Sequence, residues 1–278
     1  MRKTKFVDDV ALFSVPVPTH GGKYAPIPHK DIVNEVKAAL AKENIEISQS
    51  IYKSTGDGQV ALGQHLLKST DDPDIQMMFA WVNSYNKQRK FSSGVGAYVT
   101  VCLNGMLSAK YGEYSRKHLG NAHAEAMASI AEQVGDARKI FQELITNKNQ
   151  MIETQLTETL RNQIIGKVFM ENVLGNYQLT TVKNELTNPT YQYSGDTNSA
   201  WHLYNHMTHA LKDTSPVSFT DKHVELNRIF SDCINDQAVI TETPILTTAK
   251  IIDEVKTEET VVTQTAEPKQ VNDLFDLL

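Results

Sequence analysis

The spacing of apolar residues changes period partway along this chain, and that change limits the open folds more than any other feature. Between Ile45 and Leu103 apolar residues alternate or gather in short β-rich runs, and from Asn121 onward they recur at intervals of three and four. A period of two suits a strand and one near 3.6 suits a helix, so hairpins are predicted first and helices second. Ile45, Ile47 and Ile51 alternate ahead of the turn signal Ser54-Thr55-Gly56-Asp57-Gly58, and Val60-Ala61-Leu62 resumes the apolar run. This predicts a hairpin. A second is predicted from Ile75 to Ser84 and Val95 to Leu103, joined by the polar, basic stretch Tyr85 to Gly94.

Upstream, Ile32, Val33, Val36, Ala39 and Leu40 place an amphipathic helix at His29 to Asn44. The proline-rich Met1 to Pro28 reads as an extended lead-in or edge strand. Downstream, a long helical pattern runs from Asn121 to Leu160, with interruptions expected at Gly135-Asp136 and Asn147-Lys148-Asn149. Shorter helices are predicted at Leu160 to Leu174, Thr180 to Leu186, Ser199 to Asp213 and Asp221 to Phe230. The class is α+β: a body over residues 1–235, mixed over 1–120 and helical over 121–235.

Periodicity fails near Asp236. Residues 236–272 are dominated by Thr, Val, Glu, Pro and Gln, with too little apolar area to offset backbone ordering, and read as a flexible acidic linker. The last six residues, Asp273, Leu274, Phe275, Asp276, Leu277 and Leu278, read as a docking peptide of alternating acid and apolar character. From Asp236 onward nine acids face Lys250, Lys256 and Lys269, which accounts for the whole net charge of -6 and leaves the body neutral. Bulk charge therefore says little about the body's partners. Asp8 and Asp9 break the position of a signal-peptide core, and no apolar run reaches the roughly 18 residues of a membrane span. Cys102 and Cys233 are the only cysteines, too few for a disulfide framework or a cysteine-built zinc site. The expectation is a soluble protein of a reducing cytoplasm.

Five segments carry a resemblance: Pro26-Ile27-Pro28-His29, Asn83-Ser84-Tyr85, Val101-Cys102-Leu103-Asn104-Gly105-Met106, Arg116-Lys117-His118-Leu119-Gly120-Asn121 and Ala200-Trp201-His202-Leu203-Tyr204-Asn205. Together they resemble a family of uncharacterised proteins carried by phages and plasmids. That implies a mobile-element origin, with the cytoplasm of an infected bacterium as the compartment, and no catalytic residue. The end of the chain, Lys269 to Leu278, is similar to the peptides by which T-even-like phage DNA polymerases dock on their sliding clamp. It also looks like the acidic, apolar-tipped tails of single-stranded DNA-binding proteins. Leu274, Phe275 and Leu277 would enter an apolar groove while the acids meet a basic rim; the alternative is a solubilising tail with a sticky end.

Between Tyr85 and His118, Lys87, Arg89, Lys90, Lys110, Arg116 and Lys117 face one acid, Glu113, and Phe91, Tyr98 and Tyr111 are interleaved. Cations that track phosphates beside rings that stack on bases are the chemistry of a single-strand binder. The competing reading makes Phe91 and Tyr98 core residues and the lysines a solvated hairpin face. His202, His206 and His209 share one helical face at partly metal-like spacing, but no H-E-x-x-H glutamate accompanies them, and a plain histidine stripe is the ordinary reading. Asp71-Asp72-Pro73-Asp74 reads as a solvated acidic loop. No phosphate loop, nucleophile elbow or dinucleotide fingerprint is present, so no enzyme class and no cofactor is indicated.

The combined expectation is a phage-encoded accessory of DNA metabolism. Its body would bind or anneal single-stranded DNA, and its tail would dock to a sliding clamp or another replication or recombination partner. The element order is compatible with phage single-strand annealing proteins by fold-level analogy, and homo-oligomer formation is left open. The alternative is a non-enzymatic adaptor or host-takeover protein that touches no DNA.

Overall fold

The computed structural model describes residues 5–19, 22–102, 104–107 and 114–242. The chain divides into one unit at Met1–Asn235 and a second at Asp236–Leu278, and the predicted docking peptide lies outside the described residues. In chain order, β1 (Lys5–Val7) and α1 (Asp9–Phe13) precede α2 (His29–Lys42). Then come β2 (Ile47–Ser54), β3 (Val60–Leu67), β4 (Ile75–Ser84), β5 (Phe91–Val99), β6 (Asn104–Leu107) and β7 (Ser115–Arg116). The helices α3 (Ala122–Gly135), α4 (Ala137–Glu153), α5 (Glu158–Met170), α6 (Asn176–Thr187), α7 (Ala200–Ala210) and α8 (Phe219–Glu242) complete the chain. The fold is α+β.

All strand pairings are antiparallel. β1 to β6 lie in sequence order across one sheet, and β7 pairs with β5 off that path. The two predicted hairpins are thus halves of one meander. The proline-rich lead-in supplies the edge strand β1 and also α1, whose start is fixed by Asp8 accepting from the Ala11 amide at 2.8 Å. The interruption expected at Gly135-Asp136 separates α3 from α4, whereas α4 runs unbroken through Asn147-Lys148-Asn149. α8 continues to Glu242, beyond the point where apolar periodicity ends.

β3, β4 and β5 are buried at nearly every position, on both faces. One face carries Tyr52, Ala61, Met77, Phe79, Trp81, Phe91, Val95 and Ala97 into the main core with α2, α3, α4 and α7. The opposite face carries Val60, Leu62 and Val82 against Phe219, and Leu66, Met78, Ala80, Tyr98 and Leu107 against Val224. The start of α8 therefore covers the face turned away from the main core. Trp81 lies across Gly63, where a Cβ would stand 2.3 Å from the indole. Its Nε1 donates to His65 Nε2 at 3.2 Å, which leaves the His65 Nδ1 proton for Ser50 Oγ at 3.0 Å.

The loop ahead of β4 is not the solvated acidic turn expected from its sequence. Lys148 of α4, almost fully buried, donates to Asp72 Oδ2 at 2.7 Å and to Asp74 Oδ2 at 2.9 Å, and Ser194 Oγ donates to Asp74 Oδ1 at 2.6 Å. Burial alone would raise the Asp74 carboxyl, but Ser194 and Lys148 together hold it below its ordinary value. Among the described residues no helix is long and apolar enough to cross a membrane. Removal of the one cation should strand two desolvated carboxylates, so Lys148→Met is expected to lower stability by about 3–5 kcal/mol in urea unfolding.

Candidate nucleic-acid interface

The turn between β4 and β5 is held by its own side chains. Ser84 Oγ accepts from the Arg89 amide at 3.0 Å and donates to the Arg89 carbonyl at 2.7 Å, closing the loop at its neck. Asn86 Oδ1 accepts from the Gln88 amide at 3.1 Å, and Lys87 between them sits in the left-handed region at φ 64°. A non-glycine residue there stores local strain that the clasp sustains. Tyr24 packs beside the tip, its hydroxyl donating to the carbonyls of Ser84 at 3.2 Å and Tyr85 at 3.0 Å. Lys87 Nζ stands 4.8 Å above the Tyr24 ring.

The structure sorts the predicted contact residues into four groups. Phe91 and Tyr98 are buried on opposite faces of β5, so neither is available to stack on a base, and the core reading holds for both. Arg89 is engaged by Asp221 and Thr220 of α8, and Arg116 is paired with Glu125 at 2.5 Å. Lys110 and Tyr111 lie outside the described residues. Lys87, Lys90 and Lys117 are exposed, and among the described residues none of the three forms an ion pair. Tyr24, which the basic window missed because it lies some sixty residues upstream in sequence, is the ring that the fold brings to the tip. A cleft of about 530 Å³ runs alongside, lined by Gln88, Lys90, Ser92, Ser115, Val224 and Glu225 together with the Arg89–Asp221 pair.

Behind the tip, three of the resemblance segments meet at Asn83. Its Nδ2 donates to the Ile27 carbonyl at 2.7 Å and lies 3.0 Å from His29 Nδ1, while its Oδ1 is 2.6 Å from His118 Nε2. The His29 amide donates to Tyr85 Oη at 2.7 Å, and the His29 and Tyr85 rings stack with centroids 4.0 Å apart. The amide thus uses three of its four hydrogen-bonding positions, and it fixes the chain entering α2, the end of β4 and the approach to α3 together. The other two segments meet where the Cys102 thiol approaches Asn205 Oδ1 at 3.9 Å, with the Asn205 Nδ2 on the Trp201 carbonyl at 2.9 Å.

The histidine stripe of α7 is buried rather than open. His202 Nε2 lies 3.1 Å from the Tyr193 carbonyl, while His206 Nδ1 and His209 Nε2 each lie 3.6 Å from one oxygen of Glu185. Burial would raise the Glu185 carboxyl, but Thr190, donating from both backbone and side chain, and the two histidines hold it below its ordinary value. His206 and His209 share Glu185 while His202 turns to a backbone carbonyl, and among the described residues no cluster of His, Cys, Asp or Glu is arranged to hold a metal ion.

Residues 17–230 match the model of a family described as a domain of unknown function, DUF932. The chain belongs to this family. No curated protein and no solved structure matches it. The DUF932 region takes in β2 to β7, both buried nodes and the tip; β1 and α1 precede it, and it ends within α8, so the acidic tail lies beyond it.

Burial lowers His29, His65 and His118 from the ordinary 6.5 to about 4, and His223 to about 3. Each is neutral in the folded DUF932 body and takes up a proton on unfolding once the pH falls below 6.5. Stability present above that pH is therefore lost as pH falls towards 4, by about 1.4 kcal/mol per pH unit for each proton taken up. Thermal midpoints recorded from pH 7 to 4 should fall throughout; a flat profile would contradict the neutral, buried assignment.

Proposed function

We propose that this chain is a non-enzymatic accessory of phage DNA metabolism, whose body binds single-stranded DNA across the β4–β5 tip and whose tail docks it to a replication or recombination partner. The observation that carries the reading is the juxtaposition at the tip: Lys87, Lys90 and Lys117 exposed and free of ion pairs among the described residues, beside a Tyr24 ring anchored through its hydroxyl. In a body without net charge, such a local excess of cations is what a polyanion meets. Lys87 has a long flexible stem, so it can move from the ring to a phosphate while a base takes its place on the ring. The phage origin rests on the resemblance of the five segments, and the docking role on the apolar-acidic pattern of Asp273 to Leu278.

Anisotropy of a labelled oligothymidylate against the full chain across salt tests the DNA reading. Replacement of Lys87, Lys90 and Lys117 by Gln together should weaken binding at least tenfold at low salt and lower the log–log salt slope by about 2, since each single-strand phosphate contact contributes about 0.7. Affinity and slope that survive the triple replacement would remove the tip as the site. A chain that never binds the oligonucleotide leaves the adaptor reading.

Deletion of Asp273 to Leu278 should leave oligonucleotide affinity unchanged within about twofold, because the peptide is acidic and makes no phosphate contact. The same deletion should abolish retention on immobilised phage sliding clamp. Retention that persists in the truncated chain would refute the docking role.

A further inference from the structure

Arg89 is the cation of the tip best shaped for a phosphate, and it is already occupied. Its guanidinium makes a two-pronged contact with Asp221, Nη1 to Oδ2 and Nη2 to Oδ1, the latter at 2.5 Å. Nη2 also reaches Thr220 Oγ1 at 3.4 Å. Arginine grips phosphate with the same parallel fork, so the Asp221 carboxylate stands where two phosphodiester oxygens would stand. The Arg89 side chain is 18% exposed and that of Asp221 is 61% exposed. The anion is the wet partner, open to replacement from the cleft that the pair borders.

A second observation lies one turn further along α8. His223 and Asn227 are buried polar groups, each 1% exposed, and the His223 ring packs on Phe219 with centroids 4.2 Å apart. Desolvating polar groups offsets part of the apolar gain on closure, so a helix seated over them is cheaper to lift than one seated over apolar side chains alone. The start of α8 is thus held by Phe219 and Val224 on the sheet, by the Arg89–Asp221 contact and by Lys222 Nζ donating to the Val173 carbonyl at 2.7 Å, with Leu226 further along in the main core.

We propose that Asp221 is a built-in phosphate mimic: it keeps Arg89 in reserve, and a single-stranded DNA backbone entering the cleft displaces it and releases the first turns of α8 from the sheet. The inference rests on the DNA-binding reading above. Arg89 then becomes a phosphate contact of the bound state, and the sheet face beneath α8 opens only when nucleic acid is present.

Oligothymidylate anisotropy with the full chain and its Asp221→Asn variant tests this. The variant should bind about fivefold tighter at low salt, because no carboxylate has to be displaced, with a salt slope little changed, since Arg89 meets phosphate in both bound states. Adding Arg89→Gln to that variant should erase the gain and lower the slope by about 0.7, the loss of one phosphate contact, and Glu225→Gln, which removes another acid from the cleft, should leave affinity within about twofold. In the unaltered chain, amide exchange of Phe219 to Asn227 should quicken on addition of oligonucleotide. If the unaltered chain binds but Asp221→Asn does not tighten binding, the DNA reading stands and the mimic fails. A gain matched by Glu225→Gln also overturns it, since that is loss of charge alone. Absence of binding by both chains ends both readings. Should Asp221→Asn fail to fold, unchanged exchange of α8 in the unaltered chain on binding overturns the proposal by itself.

Discussion

Three strands buried on both faces set the terms for the rest of the body. β3, β4 and β5 present apolar side chains upward and downward alike, so the sheet cannot leave either face to water. Antiparallel meanders commonly solvate one side; this one needs two coverings. α2, α3, α4 and α7 supply the first and pack a continuous core around Phe79, Trp81 and Phe91. Among the described residues the second covering contributes fewer apolar side chains, Phe219 and Val224 of α8 with Val217 just ahead of it. The asymmetry is energetic as well as geometric, because apolar burial scales with the area covered. α8 spans both coverings: Phe219 and Val224 lie on this face, and Leu226, Ile229 and Phe230 further along join the main core.

Much of this arrangement was legible in the sequence. The change of period located the sheet and the helical half, and the break at Gly135-Asp136 appeared where predicted. Burial was harder to read. Alternation identifies a strand but does not reveal whether its second face is wet, and Phe91 and Tyr98, interleaved with lysines, look like a stacking platform until both faces are seen to be covered. Charge was misread for a related reason: Asp72 and Asp74 sit in a polar sequence, and only the fold brings Lys148 to them from α4. A count of charges in a window records neither their faces nor their partners.

The same distinction explains what the family-like segments do. Pro26 to His29, Asn83 to Tyr85 and Arg116 to Asn121 converge on one buried amide, and Val101 to Met106 meets Ala200 to Asn205 at Cys102 and Asn205. Their most recognisable residues are buried polar groups that tie distant elements together. Such groups are costly to bury unpaired and specific when satisfied, which suits them to mark a fold. They hold the tip in place and leave its chemistry to residues with a plainer sequence signature.

The functional weight then falls on the pairing state of a few cations. Six basic residues in one window suggest a strong electropositive surface, but a cation already held by a carboxylate contributes little field beyond its partner. Arg116 is paired within its own surface, to Glu125 of the following helix, and is spent on joining β7 to α3. Arg89 is paired across elements, to a residue on the more lightly seated covering of the sheet. The first pairing can only stabilise. The second joins a cation of the tip to α8, so in the proposed mechanism one ion pair couples phosphate binding to the exposure of a sheet face.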